Sequence, residues 1–181
     1  MLKQFLLNHA LEIPAVITGL LNIYLAARVN IWNWFFGIIT IGLYIVIFYH
    51  VKLYADMSLY FIFLGLQFYG WYQWLHGGKQ GKPLRIRRVD RKTSLIALIS
   101  TVLLFVSISF ILENYTDSTT VHLDALTTAI SLVAQWMMSK KWIENWWLWM
   151  LVDVIAIKMY FIKALYLTAG LYAVFFVLCV M

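Results

Sequence analysis

Seven stretches of this chain run far enough without a charge cluster or a helix breaker to cross a membrane. They are Leu11–Ala27, Ile31–Tyr49, Leu53–Leu75, Ser94–Leu112, Ala125–Met138, Trp142–Tyr160 and Ala164–Val180. A helix needs about 20 mostly apolar residues to cross a hydrocarbon core of roughly 30 Å, and these windows approach or meet that length. A spanning β-barrel would alternate apolar and polar residues at period two, whereas these runs are apolar all round, so the segments read as helices. Composition agrees: 64% of the 181 residues are hydrophobic and 12% are charged, about half the charge of an ordinary soluble domain. That excludes a soluble globular domain, and the high hydrophobicity excludes disorder. The expected class is an all-α integral membrane protein with seven transmembrane helices, the fifth being the weakest of the seven by apolar length. One cysteine, Cys179, allows neither an intramolecular disulfide nor a multi-cysteine metal site. Residues 1–7 carry no small-residue cleavage site and run into a full span, so they are expected to stay in the mature chain.

Cytoplasmic loops collect Lys and Arg, which orients the helices. Ten of the fourteen basic residues fall on one side: Arg28, the seven between spans three and four, and Lys140 and Lys141. Lys3, Lys52, Lys158 and Lys163 fall on the other, whose longest loop, residues 113–120, has no basic residue. The N-terminus is therefore expected outside and the C-terminus inside. The basic loop Gly77–Lys92 reads as a topology signal or lipid-headgroup contact rather than a nucleic-acid patch. No nucleic-acid partner is expected, and the lipid bilayer is.

The chain also matches itself. Asn33-Trp34 recurs as Asn145-Trp146, an offset of 112 positions (145 − 33), and the same offset sets Glu12 on Asp124, Arg28 on Lys140, Tyr54 on Tyr166, Tyr60 on Tyr172 and Phe63 on Phe175. The pattern predicts a 3+1+3 parallel repeat: a first three-helix repeat over 1–76, a basic cytoplasmic loop over 77–93, a linker helix over 94–116 and a second three-helix repeat over 117–181. Parallel repeats are one of the two architectures of transporters, with substrate held near the midplane between the halves.

Catalysis has little support. His9, His50, His76 and His122 lie at no metal-binding spacing, and neither a phosphate-binding glycine loop nor a nucleophile motif appears. The chain is expected to be no enzyme and to need no cofactor and no metal. Polar residues inside spans are costly, and so mark function. In span six Trp142, Asn145, Trp149 and Asp153 form one helical stripe, with Trp146 beside it. In span five Asp124, Thr127, Thr128, Ser131 and Gln135 form another, and in span three Tyr60, Gln67, Trp71 and Trp74 a third. The candidate substrate-binding set is Trp34, Gln67, Trp71, Asp124, Thr128, Gln135, Trp142, Asn145, Trp146, Trp149 and Asp153. Aromatic faces, carboxamides and a carboxylate suit a planar, hydrogen-bonding cation. Competing structural readings are interfacial anchoring for the tryptophans, above all Trp32 and Trp147, helix-to-helix or same-helix bonding for the span-five hydroxyls, and pairing of Asp153 with Lys158. Glu12 and Asp124, near span ends, read as structural, and Gly19, Gly37, Gly42, Gly65 and Gly70 as sites of close helix contact.

The runs Tyr69-Gly70-Trp71-Tyr72-Gln73-Trp74 and Glu144-Asn145-Trp146-Trp147-Leu148-Trp149, with Leu25-Ala26-Ala27-Arg28 and Leu53-Tyr54-Ala55-Asp56, resemble the Pnu-type vitamin transporters over nearly the whole chain. The resemblance implies a fold similar to the SWEET sugar transporters and a homotrimer in a bacterial inner membrane. It also implies facilitated diffusion of a small-molecule vitamin, trapped afterwards by a cytoplasmic kinase. Nicotinamide riboside leads as substrate, with thiamine the alternative and riboflavin behind it. A non-transporting membrane scaffold subunit is the competing reading of another class.

Overall fold

A backbone in hydrocarbon has no water to bond, so each apolar window must satisfy its own N–H and C=O groups, and each becomes an α-helix. The computed structural model describes residues 2–50, 52, 54–115, 120–162 and 166–180. Lys163 and residues 116–119 of the loop without basic residues lie outside the described residues, as do the side chains of Lys3, Tyr54 and Tyr166. The helices are α1 (Leu2–Ala27), α2 (Trp32–His50), α3 (Tyr54–His76), α4 (Arg91–Tyr115), α5 (Val121–Ser139), α6 (Asn145–Ile162) and α7 (Tyr166–Val180). Contacts divide the chain into two compact units, Met1–Leu84 and Arg85–Met181. In the first, α2 packs on α1 and α3; in the second, α4 packs on α5, α5 on α6, and α6 on α7.

By length and composition α2, α4 and α6 are each able to cross a membrane. α4 is the extreme case. Its 25 residues reach roughly 37 Å at 1.5 Å per residue, and Leu98, Leu103, Val106 and Phe110 are all more than half exposed. Such a face is untenable in water and ordinary in lipid. α5 is the opposite. Polar for a span, it is also, among the described residues, the most enclosed helix, with Ala125, Ala129, Ala134 and Ser139 among its fully buried residues. A helix flanked by α4 and α6 meets protein rather than lipid, so it needs less apolar surface.

Two of the helical corners, one in each unit, are built alike. After α1, Val29 takes a left-handed φ of 53°. Its N–H donates to the Ala26 C=O at 2.9 Å, and the Asn30 N–H reaches the Leu25 C=O at 2.9 Å. After α5, Lys141 takes φ 53°, its N–H donates to the Met138 C=O at 3.0 Å, and the Trp142 N–H reaches the Met137 C=O at 3.2 Å. Both are Schellman stops, offset by 112 positions (141 − 29). In each, a carboxamide then closes the turn: Asn33 Nδ2 donates to the Asn30 C=O at 2.6 Å, and Asn145 Nδ2 to the Trp142 C=O at 2.6 Å. α6 therefore starts at Asn145, and Trp142 sits in the turn before it rather than on the helical stripe where its spacing had placed it.

A β-branched residue pays about 1–2 kcal/mol for left-handed backbone, which glycine does not. Val29 is also 38% exposed and so packs little. Val29→Gly is expected to raise stability by about 1 kcal/mol, net of glycine's larger unfolded-state entropy. Thermal unfolding in detergent checks this; a lowered midpoint would mean that the Val29 side chain contributes packing that outweighs its backbone strain.

Candidate functional site

In the first unit the chemistry lies along the α2–α3 seam. Asn33, Trp34 and Gly37 share one face of α2, and Gln67, Gly70 and Trp74 share one face of α3. Trp34 is fully buried and stands edge-on to Trp74 at 5.3 Å between ring centroids. It lies so close to Gly70 that a Cβ there would overlap its ring. A Cβ on Gly37 would strike the carboxamides of Asn22 and Gln67. From α1, Asn22 Nδ2 donates to the Asn33 C=O at 2.9 Å, and the Thr18 and Thr40 hydroxyls meet at 2.9 Å. Gly37 and Gly70 thus serve close approach as expected, whereas a Cβ added to Gly42 or Gly65 would meet nothing within 4 Å. Trp71 is half-buried, edge-on to Phe35 at 6.4 Å.

Three polar atoms of this seam, Asn33 Oδ1, Trp34 Nε1 and Gln67 Oε1, are buried with no hydrogen-bond partner inside the protein. Such atoms are rare in native folds, and each calls for a bound group or water.

The second unit repeats the situation with different side chains. Asn145 and Asp153 of α6 are buried, and Trp149 midway between them is half-buried. Asn145 Oδ1 and, on α5, Gln135 Nε2 are buried without a partner. Asp153 Oδ2 accepts from the Cys179 thiol of α7 at 3.6 Å, and no ion pair joins it to Lys158, which is exposed. Trp146 and Thr128 are half-buried. Two of the other span-five groups serve their own helix: the Thr120 hydroxyl donates to Asp124 Oδ2 at 2.8 Å at the start of α5, and the Thr127 hydroxyl bonds the Leu123 C=O at 2.9 Å. Trp142 packs with Ala97, Val133 and Met137, at 5.0 Å from the Trp136 ring. Trp32 and Trp147 are exposed, as interfacial anchors are.

Among the described residues six buried side-chain atoms lack partners, and four of them belong to residues the sequence reading selected: Trp34, Gln67, Gln135 and Asn145. It missed Asn33, although the 112-residue offset from Asn145 points straight to it. It also missed Cys179, which stands at the offset position of Gln67 (179 − 67).

The chain matches the family model described as nicotinamide mononucleotide transporter over residues 9–181. It is 29% identical to the nicotinamide riboside transporter PnuC of Escherichia coli strain K12, over 86% of this chain and 76% of that protein. It is 27% identical to the protein of the same name from Haemophilus influenzae, over 86% of this chain and 74% of that one. For the Neisseria mucosa protein, also so named, the figures are 28%, 81% and 57%. The crystal structure of the vitamin B3 transporter PnuC has the same fold, with a TM-score of 0.71 over 93% of this chain and 78% of that one at 24% identity.

Proposed function

Because the chain belongs to the nicotinamide mononucleotide transporter family, we propose that it carries nicotinamide riboside across the membrane by facilitated diffusion. The family's description and the relatives' names differ by one phosphate, and the chemistry of the candidate groups favours the riboside. Gln135, Asn145, Trp149 and Asp153 supply an amide donor, an amide acceptor, an aromatic face and a carboxylate, with no cation among them. A carboxamide-bearing pyridinium finds a partner for each part there, since its amide needs both a donor and an acceptor and its ring is a cation. A 5′-phosphate would meet a carboxylate and leave its own charge unpaired.

The finer reading follows the same lines. Two three-helix repeats, residues 1–76 and 117–181, are joined by the loop 77–93 and a linker helix over 94–116. The matching corners at Val29 and Lys141 support this. The distribution of basic residues supports an N-terminus outside and a C-terminus inside a bacterial inner membrane. Resemblance to the Pnu-type transporters supports a homotrimer and trapping of the substrate by a cytoplasmic kinase.

Purified protein in liposomes is expected to equilibrate labelled nicotinamide riboside without ATP or an ion gradient. Accumulation above the outside concentration under a proton or sodium gradient would replace facilitated diffusion with coupled transport. Binding read by tryptophan fluorescence should be clearly tighter for the riboside than for the mononucleotide. Trp149→Ala should weaken it by about 1–3 kcal/mol, the range for base-on-aromatic stacking. A folded Trp149→Ala variant with unchanged affinity would move the site away from α6.

A further inference from the structure

The loop that precedes α4 is not a free polar tether. Arg87 N–H donates to the Lys141 C=O at 3.1 Å, and Ile143 N–H donates to the Arg87 C=O at 3.1 Å, making a short parallel bridge to the α5–α6 turn. Val89 N–H donates to Glu144 Oε2 at 3.0 Å. The Arg87 guanidinium lies over the Trp142 ring, 5.4 Å from its centroid. The Ser94 N–H then closes the first turn of α4 on the Asp90 C=O at 2.9 Å. A segment dense in arginine is thereby held at Arg87 and Val89 against the α5–α6 turn, next to the start of α4.

Its charges are left over. Asp90 and Glu144 are the acidic residues of residues 85–92 and 140–147. Glu144 is engaged by Val89, and a hydrogen bond with Thr93 holds the Asp90 carboxyl below its ordinary value. Among the described residues Arg85, Arg87, Arg88, Arg91 and Lys92 are exposed and in no ion pair. Beside them Ile86, Ile143 and Trp147 are exposed at 55%, 48% and 71%. Guanidinium groups match phosphate geometry, and an indole over which one is stacked restricts its motion. A soluble phosphate would use the cations and leave the apolar flank idle; an amphiphile uses both.

We propose that the clasp between residues 85–92 and 140–147 is a binding site for an anionic phospholipid, its phosphodiester on Arg87 and its neighbours Arg88 and Arg91 and its acyl chains along Ile86, Ile143 and Trp147. Bound lipid would brace the α5–α6 turn, from which Asn145 starts the candidate substrate helix.

Native mass spectrometry of the full chain, released from detergent with equal amounts of phosphatidylglycerol and phosphatidylcholine, tests this. Wild type is expected to retain phosphatidylglycerol preferentially, and Arg87→Gln with Arg88→Gln to lose about fivefold of that preference per arginine. Arg88→Gln with Arg91→Gln, which leaves the Arg87 stack intact, gives the same reading if Arg87 proves necessary for folding. Lys158→Gln, exposed on α6, should change nothing. Glu144→Ala raises the net positive charge yet frees the Val89 backbone, so a fixed site predicts weaker phosphatidylglycerol retention; stronger retention would mean diffuse charge attraction and overturn the proposal. So would an undiminished preference in the double variants, or displacement of the lipid by an equal concentration of glycerol phosphate, which would identify a soluble anion as the ligand.

Discussion

Gly70→Ala is expected to be the most damaging single-methyl change in the first unit. The added Cβ would fall on the Cη2, Cζ3 and Cζ2 atoms of Trp34. That ring has nowhere to go, because it is fully buried and stands edge-on against Trp74. Overpacking of this kind costs about 1–3 kcal/mol and occasionally more. Here relief would require α3 to move off α2, which opens the seam holding Asn33 and Gln67. Thermal unfolding in detergent should show a drop of roughly 2–4 °C per kcal/mol for a chain of this size. Gly65→Ala is the control, since nothing lies within 4 Å of its added methyl, and it should melt at the wild-type temperature or slightly above. Gly37→Ala should fall between them, because it meets the ends of Asn22 and Gln67, which can turn aside. Equal melting of the Gly70 and Gly65 variants would show that Trp34 does not seat on α3 in the membrane protein.

That seam also marks how far sequence alone reaches. Helix number and order were legible because lipid imposes length and apolarity on each span, and those are properties of contiguous residues. α5 was legible only in part: its apolar window Ala125–Met138 is short, while the helix runs Val121–Ser139, since a helix enclosed by protein is released from lipid's demand. The corner at Lys141 is hidden from the sequence for a different reason. A left-handed stop usually carries a glycine, and here valine and lysine take that backbone at positions 29 and 141, so Trp142 passed for the first residue of α6. Long-range bonds were invisible from spacing. Nothing local links Val89 to Glu144 across 55 residues or Asp153 to Cys179 across 26. The 112-residue offset reaches single residues rather than these bonds: it sets position 179 on 67 and position 145 on 33, and each of those four side chains is buried or half-buried.

The 112-residue sequence offset also isolates Asp153, which it sets on Ile41 (153 − 41), and this leads to the largest effect expected on binding. A carboxylate inside a span is costly and persists where it has a task. Asp153 is buried, Lys158 does not pair with it, and its hydrogen bond comes from one thiol, a weak donor. A purely architectural role would be expected in both halves, whereas a ligand contact need be present in only one. Asp153→Asn keeps the size and an oxygen to accept from Cys179 while removing the charge. Truncating one side of a buried charge pair costs about 2–5 kcal/mol, so affinity for nicotinamide riboside should fall at least about thirtyfold. Reduced nicotinamide riboside has nearly the same shape and a neutral ring, and its binding should change far less. The measurement is therefore a ratio, oxidised over reduced ligand, in wild type and variant at the same pH. A ratio that collapses in the variant assigns the pyridinium to Asp153. A ratio that stays constant while both affinities fall makes Asp153 a structural partner of α7, and a variant binding both ligands at wild-type strength places the cation's partner elsewhere.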